Sequence, residues 1–323
     1  MKIVSASRSG IVFCCSILSF SVYAQDYQAY HKDINHAEHL FVHGKIDSAL
    51  WYYDRAFAAY DFVFAKDAFI AAQVCWKNKN DTEKTGQYLM KGAANGLHTS
   101  CLSTAPALYS YLSTQDYLLL EAGLKKARLH FLQHTDTALA REWDMRFKEE
   151  QDAKNYNADR NAFSQYKEQV VRNVASIVSL WQKRRIYPGD RVTGLSNDCE
   201  TMGNTDAFYS LAHYDCMSTL LDSLLWPAVR GGFLHPRDYA TLWEFERLRT
   251  KGIDAAKYTN PACRSQVRSL CKFNLNWFRD KDPYSIKEVE ANRREFWLCE
   301  EQTDKAIELL EQREGYKLRF NYR

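Results

Sequence analysis

Apolar side chains in this sequence recur at spacings of three and four, and nowhere sustain the alternate-residue rhythm of a half-buried strand. That feature restricts the chain to helices packed on helices, an all-α class. The spacing predicts helices over 113–132, 162–181 and 206–229, and a last long helix over 284–312. Residues 136–159 read as one long polar helix. Gly231-Gly232 breaks the 206–229 pattern, and His235-Pro236 then opens another helix to about Lys251, because proline is favoured at a first helical position.

The N-terminal part carries a repeat. "GKIDSALWYYDRAF" (Gly44 to Phe57) resembles the turn and second helix of a tetratricopeptide repeat. Gly44 takes the turn, and Ala49 and Ala56, seven apart, take the small positions where paired helices approach closely. Gly86 and Ala93 repeat that spacing 37 residues later, against a usual period of about 34. The resemblance implies two diverged units within residues 25–135, followed by a C-terminal all-helical domain over 136–323. Stacked helix pairs of this kind usually present a binding surface. Trp51, Tyr52, Tyr53 and Tyr60 are candidates for it, with half of them expected in the core.

The first residues point to export. Lys2 and Arg8 precede a short apolar run from Ile11 to Val22, and Val22-Tyr23-Ala24 offers a cleavage site, the pattern of a secretory signal peptide cut after Ala24. No later stretch is apolar for long enough to span a bilayer. Removing Lys2 and Arg8 from 43 basic residues, set against 40 acidic ones, leaves a nearly neutral chain. No basic run supplies the electrostatic footprint of a nucleic-acid binder. An aromatic content of 20 Tyr, 17 Phe and 8 Trp beside only 6 Pro argues against disorder. Seven cysteines follow the cleavage site: Cys75, Cys101, Cys199, Cys216, Cys263, Cys271 and Cys299. Disulfides are permitted outside the cytosol, and an odd count leaves at least one thiol free or paired outside the chain. Cys263 and Cys271 are too far apart to bridge on one continuous helix.

From about Arg141 to Tyr258 the chain resembles an uncharacterised domain of exported Bacteroidetes proteins, often found behind tetratricopeptide-like helices. "EQDAK", "YPGDRVTG", "LAHYD", "GGFLHPRDYATLWEFER" and Tyr258 carry the likeness. The family's Asp-Gln-x-x-Arg element falls on Glu150-Gln151-Asp152-Ala153-Lys154, and its late Asp-Arg pair on Glu246-Arg247; both acids are one methylene longer here, and Lys154 replaces the arginine. The resemblance brings no established activity.

Periodicity marks the same segments. Glu246 shares a face with Tyr239, Leu242 and Trp243, and Glu150 and Gln151 continue the stripe of Leu139, Trp143 and Phe147. A carboxylate on an apolar face needs a partner. In "LAHYDC", His213 flanks the apolar face, Asp215 points away from His213, and Cys216 lies one helical turn on; a buried structural histidine beside a disulfide or an inert cysteine is the leading reading, and a Cys–His couple the alternative. The candidate catalytic residues are therefore His213, Glu246, Arg247, Glu150 and Gln151, expected around one polar cluster with Glu246 paired to His213, Lys154 or an arginine. A register-fixing ion pair is the competing reading. His36, His39 and His43 follow one helix face, with His36 inside the helix pair and His43 near the exposed turn; no further ligand is evident, so no metal is assigned. Nothing marks a cofactor. Two functions follow: first, an exported module binding a protein or peptide partner through its repeats; as the alternative, an enzyme of unassigned reaction, with hydrolysis the candidate chemistry, using His213 with Glu246 or Glu150. A continuous concave groove over the first four helices favours the binder; a pocket holding the acid–base groups favours the enzyme.

Overall fold

A computed structural model describes residues 26–155, 160–194, 199, 206–251, 273, 275 and 285–319; within these, the side chains of 155, 160–163 and 246–251 are not described. Every regular element among them is helical. In chain order these are α1 (Gln28–Val42), α2 (Ile46–Ala59), α3 (Ala65–Lys79), α4 (Thr82–Ala93), α5 (Tyr109–Leu112), α6 (Gln115–His134), α7 (Thr137–Asn155), α8 (Arg160–Arg184), α9 (Asp190–Thr193), α10 (Asp206–His213), α11 (Trp226–Arg230), α12 (Pro236–Lys251), α13 (Ile286–Glu295) and α14 (Glu301–Glu314).

Helices α1 with α2, and α3 with α4, form two packed pairs. Ala49 and Ala56 are fully buried between them, with Leu50, Tyr53 and Phe57 completing the inward stripe of α2. On α4, Gly86 faces α6: a Cβ there would lie 3.1 Å from Leu120 and 3.2 Å from the Tyr111 hydroxyl. Asp81 caps α4 by accepting from the Lys84 amide at 2.9 Å, and Thr114 caps α6 by accepting from the Tyr117 amide at 3.2 Å.

Helix α3 is buried continuously from Ala65 to Trp76, including Lys66, Asp67 and Gln73. A helix buried all round has neighbours on every side. Helices α2 and α4 cover one side. The C-terminal half covers the other, through Lys66 with Asp238 at 3.4 Å and Gln73 with Lys317 at 2.8 Å. Asn35 also donates to the Trp297 carbonyl at 2.9 Å, and the Tyr27 amide to that of Arg230 at 3.0 Å. Gly232, at φ 70°, closes the same seam: a Cβ would fall 2.4 Å from the Tyr27 ring. A disulfide joins Cys101, just after α4, to Cys199, before α10.

Two apolar cores result. One combines α1–α6 with Ile307, Tyr316 and Leu318 from the C-terminal end; the other is built from residues between Leu139 and Leu298. Two helices expected from the periodicity are interrupted. The 206–229 segment is α-helical only to His213, turns at Tyr214, and continues as a 3₁₀ turn (Met217–Leu220) and a π turn (Leu221–Leu225) before α11. The 284–312 segment breaks between α13 and α14, where Trp297 adopts φ 56° and buried Arg293 donates to the Cys299 carbonyl at 2.7 Å. No described helix is long and apolar enough to cross a membrane.

Candidate acid–base site

Three helices of the second core supply the site. On α7, Leu139 and Trp143 are buried, and Glu150, two turns further on, is completely enclosed. On α8, Tyr166, Val170, Val174, Ile177 and Trp181 form the apolar stripe, and Asn173 is buried beside it. On α10, Phe208 and Leu211 anchor the helix while Ser210 and His213 face the same interior.

These side chains converge on the Glu150 carboxylate. His213 Nδ1 lies 2.6 Å from Oε1. Ser210 Oγ donates to Oε2 at 2.6 Å, and Asn173 Nδ2 donates to the same oxygen at 2.8 Å. Burial pushes the Glu150 pKa up, but the bonds from His213 and Ser210, the charge of His213 and the bond from Asn173 together carry it below the ordinary carboxylate value. Glu150 is therefore held ionised inside the protein. A second layer fixes the amides: Gln169 donates to Asn173 Oδ1 at 3.2 Å, and Arg172 donates to Gln169 Oε1 at 2.6 Å.

His213 also reaches the surface. It is 8% exposed and lines a cleft of about 400 Å³ with Ser164, Lys167, Val171, Arg172 and Asp215. Lys167 and Asp215 pair across this cleft at 2.5 Å. The Tyr166 ring stands edge-on to the imidazole, with centroids 5.9 Å apart. A buried carboxylate behind an imidazole at the wall of a cleft is an arrangement that can orient the ring for proton transfer.

Of the residues the sequence marks, Glu150 and His213 thus meet directly. Gln151 is half-buried next to Glu150, and its Nε2 has no hydrogen-bond partner among the described residues. Glu246 and Arg247 lie in α12, one turn past buried Trp243, but their side chains fall outside the described residues, as does any pairing of Glu246 with His213. The Cys–His couple is corrected. Cys216 is disulfide-bonded to a cysteine outside the described residues, and the chain leaves the helix at Tyr214, so neither a thiol nor a shared helical face is present. Cys75 and Cys299 are the free thiols among the described residues, both buried. His36 is exposed rather than enclosed in the helix pair, because the inward stripe of α1 runs through Ile34, Ala37 and Phe41; its ring packs on Tyr52 with centroids 4.6 Å apart. Among the described residues no group of three or more His, Cys, Asp or Glu side chains is placed to hold a metal.

A second polar centre, unmarked by the sequence reading, lies between the two halves. Arg237 and Arg293 contact Asp304 at 2.6 and 3.3 Å, and Lys66 contacts Asp238. A cavity of about 30 Å³ beside them is lined by His31, Glu38, Lys66, Asp67 and His235. Burial raises the Glu38 pKa to about 7 against the opposing charge of Arg237, and burial holds His31 and His235 well below the ordinary histidine value. The available sign was the apolar stretch from Phe62 to Trp76, broken only at Lys66, Asp67 and Gln73, which implies a helix enclosed on all sides.

No known family model, curated protein or solved structure matches this chain.

Proposed function

We propose that the chain is an exported enzyme of acid–base type, with His213 as the proton-transferring group and Glu150 as the carboxylate that orients it. One observation carries the reading: a fully enclosed Glu150 carboxylate bonded to Nδ1 of an imidazole that lines a cleft of about 400 Å³. With Nδ1 engaged by Glu150, proton exchange by the ring runs through Nε2. In a hydrolysis, His213 takes a proton from water as the water oxygen attacks an acyl carbon. The imidazolium so formed is stabilised by Glu150, then returns the proton to the leaving group as the scissile bond breaks. Ser210 and Asn173, held on the other carboxylate oxygen, keep Glu150 from rotating.

The Cys101–Cys199 disulfide and the N-terminal leader pattern support the exported location, since such bonds persist in oxidising compartments. The likeness of residues 141–258 to an exported Bacteroidetes domain supports the same location. A binding module, the leading reading of the sequence, becomes the second. It ranks below the enzyme because the side of α3 turned away from the other repeat helices is covered by the chain's own C-terminal half.

The test is turnover by the mature protein of a panel of chromogenic esters, amides and glycosides. His213→Ala and Glu150→Gln should each lower kcat/KM by roughly 10²–10⁴. Equal rates for wild type and both variants, or no turnover of any compound, would sink the reading.

A further inference from the structure

Helices α4 and α6 pack side by side and run the same way: a Cβ on Gly86 would lie 3.1 Å from Leu120, and one on Gly123 would lie 3.1 Å from Met90. Along one edge the two helices part into an open cleft of about 770 Å³, with Tyr111 of α5 at its base. Gly86, Met90, Ala94 and Leu120 give it an apolar wall. Glu83 precedes Gly86 by three residues and Asp116 precedes Leu120 by four, so both carboxylates stand at one end. Lys91 marks the other end, about 12 Å from Glu83 by helix rise.

A cleft of this volume, apolar with a few polar groups, has the form of a small-molecule site. Its base supplies an independent sign. Tyr111 is 1% exposed, with its ring packed on Trp76 and Tyr117, yet its hydroxyl forms no hydrogen bond among the described residues. A buried phenol ordinarily has a polar partner. Gly86 keeps the space beside that hydroxyl open: a Cβ there would lie 3.2 Å from it, and glycine is otherwise a poor choice for the middle of a helix. Burial, with the charge of Asp116, pushes the Tyr111 pKa up to about 12, so the phenol stays neutral and offers an oxygen lone pair. A cationic donor suits a neutral phenol beside a carboxylate, whereas an anion would be repelled by Asp116. We propose that this cleft binds a small apolar amine, with the ammonium donating to the Tyr111 hydroxyl oxygen beside Asp116 and the hydrocarbon body lying along Gly86, Met90 and Leu120. The site belongs to the first core and is independent of the acid–base reading, which involves other helices.

The experiment titrates the full chain, labelled at its methionine methyl groups, with 2-phenylethylamine, and compares 3-phenylpropionate and 2-phenylethanol, which carry the same body on an anionic or a neutral head. The expected result is a saturable shift of the Met90 methyl resonance with a Kd of roughly 0.1–1 mM for the amine, and binding at least about tenfold weaker for the acid and the alcohol. Tyr111→Phe and Asp116→Asn should each weaken the amine roughly tenfold. Tyr111→Phe should do so with no fall in melting midpoint, because the hydroxyl it removes has no hydrogen bond to lose among the described residues. A Met90 methyl that stays in place up to about 10 mM amine, equal binding of the three probes, or unchanged affinity in either variant overturns the proposal. Should Tyr111→Phe fail to fold, Asp116→Asn, at an exposed position, decides by the same criterion.

Discussion

Glu150 has three donors and no solvent, so its removal strands His213, Ser210 and Asn173 together. Breaking one side of a buried pair is expensive, and Glu150→Ala should cost about 3 kcal/mol in urea unfolding at pH 7. The pH dependence has a definite sign. A carboxylate whose folded pKa lies below its unfolded value contributes stability that is present above the unfolded value, about 4.3, and lost as pH falls through the folded one. The gap between wild type and Glu150→Ala should therefore narrow below about pH 4; a gap that widens there would contradict an ionised Glu150. Glu38 behaves oppositely. The residue is half-buried as a whole, yet its carboxyl faces the enclosed centre beside Arg237, and its pKa is raised to about 7. The folded state holds that proton where the unfolded state releases it, so stability is lost as pH rises from about 4.3 to about 7. Glu38→Gln mimics the protonated form. It should gain on wild type, by on the order of 2 kcal/mol, between pH 4 and pH 8, as read from urea midpoints at the two values.

At the scale of the element, small residues decide how closely helices meet. Ala49 is fully buried in the α1–α2 pair, and Ala49→Leu should overpack it and destabilise by roughly 1–3 kcal/mol; an unchanged melting midpoint would count against close packing at that position. The first four helices were legible because Gly44, Ala49, Ala56, Gly86 and Ala93 mark where the chain turns or touches. The interruptions were not. Met217, Leu221, Leu224 and Leu225 stay buried through the 3₁₀ and π turns, so the apolar spacing continues across a break in the α-helix. The second break is held by Arg293, whose guanidinium reaches the Cys299 and Phe273 carbonyls, contacts that a local pattern does not encode. The site was legible in part. Glu150 and His213 stand out as ionisable groups on or beside apolar faces. Asn173 and Ser210 carry no such sign, since a small polar residue in a helix reads as surface until its neighbours are known. The burial of Lys66 and Asp67 likewise depends on α12 and the chain end, more than 150 residues away in sequence.

For the whole molecule the question is what ties the two cores together. The C-terminal segment returns to the first core through Tyr316 and Leu318, and the polar centre around Asp304 spans the seam. Among the described residues one covalent tie, Cys101–Cys199, 98 positions apart in sequence, fastens the approach to α10 onto the first core at the 3₁₀ turn after α4. A bond closing so long a loop removes conformations chiefly from the unfolded chain, about 4–5 kcal/mol in the chain-entropy model and typically 2–4 kcal/mol when measured. Cys101→Ser and Cys199→Ser should each lower the stability of the oxidised protein by about 2–4 kcal/mol, and the double variant by no more than either alone, because all three remove the same bond. A reductant should bring wild type toward the single variants, apart from its effect on the Cys216 disulfide, which can be measured in the double variant. Clearly additive losses would mean that the two thiols act separately and that the halves are held by their noncovalent contacts, the Asp304 centre and the C-terminal segment among them.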